Sequence, residues 1–114
     1  MNALEEIVKF NVDRGLTQFK DEAEYAMLTE EMSELKSALY LGDEHEIVDA
    51  LCDIIVLATG AIYKLGYNPS KALEQTVLEI TSRKGQFNQV TGKWEKDRNQ
   101  DRSTLYKANY LKMR

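Results

Sequence analysis

Cysteine, histidine, proline and tryptophan each occur once in the 114 residues. A lone cysteine, Cys52, excludes an intrachain disulfide framework and an all-cysteine zinc site, and as a small apolar residue it is expected to be buried. A lone histidine, His45, disfavours the paired Glu-x-x-His motifs of di-iron and di-manganese bundles. Glu34 and Glu46 have no histidine three residues on. Long apolar runs are absent too: the most apolar stretch, Ala50 to Ile62, has 13 residues and contains Asp53. That is short of the ~20 residues a membrane span needs. The opening MNALEEIVKF sets acidic residues before any apolar stretch, against a secretory leader. A cytoplasmic setting without membrane association is the expectation.

What the chain has in quantity is charge, unevenly placed. The net charge of −4 hides two opposed fields. Residues 1–82 carry 6 Lys/Arg against 16 Asp/Glu, net −10, and residues 83–114 carry 9 against 3, net +6. A duplex laid across the acidic part would be repelled, so nucleic acid is not the expected partner. The rival is a non-enzymatic helical oligomer whose basic tail binds RNA or DNA.

Glycine and the single proline punctuate the chain. Amphipathic spacing predicts a first helix from Asn2 to about Phe19 that weakens near Gly15. A second runs from about Asp21 to Leu41, its stripe formed by Leu28, Met32, Leu35 and Leu39, with Gly42 to end it. A third covers about Asp43 to Leu65, and Asn68-Pro69 opens a fourth that reaches about Lys84. Gly85–Asp101 reads as a loop or small hairpin, and 103–112 as a short helix or extended arm. The fold class is therefore all-α: a four-helix core over 1–85 and a basic segment, 86–114, within the same single domain. The third helix is apolar nearly all round between Ile47 and Ile62. Such a helix is buried on all sides, which predicts a homodimer or homotetramer, or else a tail wrapped over it.

Two acidic groups fall on consecutive helices: Glu30-Glu31-x-x-Glu34, and Glu46-x-x-Asp49 with Asp53 a turn further on. A short connection makes the helices antiparallel neighbours, so the groups meet across their groove. Carboxylates so gathered repel one another, and hard divalent cations that prefer oxygen ligands relieve the repulsion. Most helical Glu runs are merely a solvated face. Asp53 argues otherwise, because a carboxylate in an apolar run needs a cation or a donor.

This pattern, on consecutive helices of an all-helical chain, resembles the MazG-like all-α nucleoside triphosphate pyrophosphohydrolases. That superfamily also holds the dimeric dUTPases and the phosphoribosyl-ATP pyrophosphohydrolases. The resemblance implies Mg²⁺, with Mn²⁺ the alternative, on Glu31, Glu34, Glu46 and Asp49. It implies cleavage of a nucleoside triphosphate between the α and β phosphates, with Glu34, Asp49 and Asp53 catalytic. Asp53 would bind a second metal or orient the attacking water. Whether Glu30 or Glu31 faces the metal stays open. The segment SRKGQFNQVTGKWEKD is similar to the ends of phage-type members.

Cations must hold the phosphates that metals do not cover. Arg83, Lys84, Lys93 and Lys96 are the candidates, although Arg83 and Lys84 also suit the negative end of a helix. Phe87, Trp94, Tyr106 and Tyr110 either stack on a base or cover the third helix, and the second is favoured. Phe10-Asn11 could reach the base, and His45 is expected to be exposed.

Overall fold

A computed structural model describes residues 1–112. Four helices carry the fold: α1 (Ala3–Asp13), α2 (Asp21–Leu41), α3 (Glu44–Lys64) and α4 (Pro69–Ser82). They are followed by an antiparallel hairpin, β1 (Gly85–Asn88) and β2 (Lys93–Lys96), and a short 3-10 turn at Arg102–Thr104. The fold is all-α with this one small sheet. Two compact units result: Met1–Pro69 joined by Lys112, and Ser70–Leu111.

In the first unit side-chain caps and glycines bound the helices. Asn2 caps α1, its Oδ1 accepting from Glu5 N at 2.9 Å. The helix then stops well short of Phe19. Gly15 takes φ +69° and sends its N–H back to Val12, and Leu16 N–H returns to Asn11. That is a Schellman closure, and it needs the glycine. Gly42 ends α2 with φ +67°, after which Asp43 caps α3 by accepting from Glu46 N. With so few residues between them, α2 and α3 form the main helix pair, and α1 packs on α3.

Small residues set how closely these helices approach. Gly60 of α3 is buried under the Asn11 side chain, whose Nδ2 donates to Ile7 O. A Cβ at residue 60 would stand 3.1 Å from that amide. Asn11 is thus a packing residue, buried and turned onto its own helix rather than presented to a ligand.

The predicted stripe of α2 divides. Leu28 and Leu35 are half-buried, whereas Met32 and Leu39 are 55% and 58% exposed. The best-covered α2 positions are instead Glu24 and Ala38, fourteen residues apart, with Glu31 midway. A strict seven-residue spacing keeps all three on one side. On α3 the outward face carries Val48, Leu51, Cys52 and Ile55, and all four are exposed. Cys52 is therefore not buried within this chain, because α1 and α2 cover only other faces of α3.

In the second unit the segment after residue 100 is an extended arm, not a helix. It is tied to α4 by polar side chains. Glu79 Oε1 accepts from Ala108 N, Gln75 Oε1 from Asn109 N, and Ser82 Oγ from Tyr106 N. Tyr110 shares a hydrogen bond with Thr76, and the Tyr106 hydroxyl donates to Gln75. Both tyrosines thus anchor to α4. In the hairpin Gly85 is obligatory, since a Cβ there would lie 2.1 Å from Glu95 O and 2.5 Å from the Trp94 ring.

Candidate metal centre

The α2–α3 pair places carboxylates inside its seam. Glu24 comes first, and its partner is Lys64 of α3, with Nζ 2.7 Å from Oε1. The side chains are only 8% and 10% exposed, so the pair is matched where water cannot screen it. Two turns on, Glu31 occupies the same row, and what meets it is more negative charge. Oxygens of Glu31, Glu34 and Asp53 all lie within 4.8 Å of one another. Glu31 and Asp53 are half-buried and Glu34 is exposed.

This cluster is unsatisfied. Glu31 Oε2 is buried with no hydrogen-bond partner among the described residues. Desolvation, then the hydrogen-bonding and charge of Glu34, then the charges of Asp53 and Glu30, push the Glu31 carboxyl up to about 7. None of these influences favours its anion. A divalent cation would supply positive charge for three carboxylates and a bond for the orphaned oxygen. An all-oxygen donor set fits Mg²⁺ or Mn²⁺.

The seam separates Glu30 from Glu31. Glu30 is exposed, while Glu31 enters the cluster. Glu46 and Asp49 do not join it at 4.8 Å. Both are exposed and line an adjoining open groove of about 390 Å³ together with Glu34, Ser37 and Asp43. Glu34 belongs to both the cluster and the groove. His45 is exposed, its Nδ1 3.7 Å from Glu46 Oε1. The Glu24–Lys64 pair escaped the sequence reading. Its signal was present in the seven-residue spacing Glu24–Glu31–Ala38, which marks a buried row rather than a solvated face.

The cationic candidates all lie in the second unit. Arg83 is engaged by Glu79 of its own helix at 3.4 Å. Lys84, Lys93 and Lys96 make no ion pair among the described residues, and all are exposed. Phe87 and Trp94 face each other in register on the hairpin, 60% and 48% exposed.

The sequence profile of the family described as phosphoribosyl-ATP pyrophosphohydrolase matches residues 13–78. The match contains α2, α3 and every carboxylate of the cluster and groove. This chain belongs to that family, within the MazG-like all-α pyrophosphohydrolase superfamily. No curated protein and no solved structure matches it significantly. No helix among the described residues is long and apolar enough to cross a membrane.

Proposed function

We propose that this protein hydrolyses a nucleoside or deoxynucleoside triphosphate between the α and β phosphates, releasing a nucleoside monophosphate and pyrophosphate. The observation that carries this reading is the unneutralised seam cluster, Glu31, Glu34 and Asp53, inside the segment that matches a pyrophosphohydrolase family. These three residues would hold Mg²⁺ or Mn²⁺. Glu46 and Asp49, on the groove that shares Glu34, would serve a second cation or position the attacking water. A bound divalent cation supplies neutralisation of the triphosphate and acidification of water. In the reaction, water oxygen bonds to phosphorus, the bridging P–O bond breaks, and the proton leaves with the help of a carboxylate. Lys84, Lys93 and Lys96, which make no ion pair among the described residues, would contact phosphate, as would Arg83 in exchange for its contact with Glu79.

The assembly we propose is a homodimer or homotetramer in the cytoplasm. Val48, Leu51 and Ile55 share one face of α3 and are 55%, 45% and 55% exposed. An apolar row of this kind is covered most simply by a second copy.

The test is product analysis with Mg²⁺ on the dNTPs, the NTPs and phosphoribosyl-ATP. Pyrophosphate and a monophosphate are the expected products. Release of orthophosphate, or no metal-dependent turnover on any of them, contradicts the reading.

A further inference from the structure

The hairpin lies beyond the family match, and two of its features adjoin. The first is aromatic. Phe87 and Trp94 are direct cross-strand partners, as are Gly85 and Lys96, so all four share one face of the ribbon. Because residue 85 has no side chain, the Trp94 ring lies directly on its backbone, and both aromatics stay about half-exposed. The second is cationic. An open groove of about 540 Å³ at the hairpin base is lined by Lys84, Lys96 and Arg98 together with Glu95 and Asp97, and it reaches the aromatic face through Gly85 and Lys96. That falls within the ~300–1,000 Å³ common for small-molecule sites. Gly85 and Lys96 belong to both features and join them.

The charges in this groove are not balanced internally. Lys84, Lys96 and Arg98 make no ion pair among the described residues. Two carboxylates line it as well, Glu95, which accepts from Asn88 Nδ2 at 2.6 Å, and Asp97, which accepts from Asn99 N at 2.9 Å, and against three cations they leave a net positive groove. Three cations against two carboxylates around one concavity, with Lys96 standing on the aromatic face itself, match a ligand with a flat ring at one end and negative charge at the other.

We propose that the hairpin is the nucleotide-recognition element: the base stacks on Phe87 and Trp94, and the phosphates lie against Lys84, Lys96 and Arg98. This rests on the triphosphate reading above and adds to it a base platform and one cation, Arg98, that the sequence did not single out. The cations gather at the hairpin's open end, which favours a free triphosphate over a nucleic-acid strand tracked along a row of charges.

Trp94 is the chain's only tryptophan, so its fluorescence reports on this face directly. The experiment titrates full-length protein in EDTA with ATP and each dNTP, with inorganic tripolyphosphate, and with oligothymidylate. A saturable change with at least one triphosphate is expected, weakened roughly tenfold or more in Lys96→Gln/Arg98→Gln and retained in Glu34→Gln. Trp94→Leu, which keeps an apolar cover on Gly85, is expected to raise KM at least about fivefold with little change in kcat. No saturable change with any triphosphate overturns the proposal, as does unaltered affinity in the double variant. Tripolyphosphate binding as tightly as the nucleotides removes the base platform. Oligothymidylate binding more tightly per nucleotide reassigns the face to single strands. If Trp94 responds but nothing is hydrolysed, the pyrophosphohydrolase reading fails and recognition stands. Hydrolysis without a Trp94 response fails recognition alone.

Discussion

Glu24 and Glu31 stand two turns apart on one row of α2, and the protein completes them in opposite ways. Glu24 receives Lys64 at 2.7 Å. Glu31 receives Glu34 and Asp53, and one of its oxygens has no hydrogen-bond partner among the described residues. The same side chain in the same seam is paired with a cation in one place and gathered with other anions in the other. The difference lies in α3: eleven residues separate Asp53 from Lys64, about three turns of helix, so both point into the same seam. What marks the candidate site is therefore not acidity as such but a missing cation.

Breaking the satisfied half should produce the largest effect. Lys64→Met leaves Glu24 buried and uncompensated, and a loss of about 3–5 kcal/mol in unfolding free energy is expected from denaturant titration. The double variant Glu24→Leu/Lys64→Met should recover most of that loss, since no lone charge remains.

The unsatisfied half should respond in activity rather than stability. Glu34→Gln and Asp53→Asn are each expected to lower kcat/KM at least about 100-fold without reducing resistance to denaturant. Asp49→Ala is expected to abolish turnover of a folded protein through the adjoining groove. Persistent activity in that variant would remove Asp49 from the site.

The unsatisfied carboxylate also makes stability depend on pH. Glu31 titrates at about 7 in the folded protein against 4.5 ordinarily, so between those values the native state holds a proton the unfolded chain has lost. Stability without metal therefore falls as pH rises across that window and levels off above it. Glu31→Gln should flatten the slope, and added Mg²⁺ should stabilise the wild type increasingly as pH rises towards 7. Denaturant midpoints at pH 5 and 8, with and without Mg²⁺, measure both. The smallest expected change lies outside the seam: Val48→Asp should convert an oligomer to monomer by sedimentation and leave the monomer's helix content unaltered.

Much of this arrangement was legible. Gly42 marked the end of α2, because a left-handed residue closes that turn, and the short connection there made α2 and α3 neighbours, whereas at Gly15 the spacing carried α1 on to about Phe19 and the structure ends it at Asp13. The carboxylate motifs followed from helical spacing. The seam itself was not legible from hydrophobicity, because two of its α2 positions are glutamates while Met32 and Leu39 sit outside it. An apolar-stripe reading assigns charge to solvent and so exchanges the two faces. The arm on α4 was hidden for a related reason. Gln75, Glu79 and Ser82 hold it through polar bonds to its backbone, which leave no apolar periodicity behind.

The central claim is that Glu31, Glu34 and Asp53 together hold a divalent cation. Isothermal titration of Mn²⁺ into wild type, Glu31→Gln, Glu34→Gln, Asp53→Asn and Glu24→Gln tests it most directly. Binding weakened at least about tenfold in each of the first three variants and unchanged in any folded Glu24→Gln protein is the expected result. Equal affinity across all five proteins would contradict it.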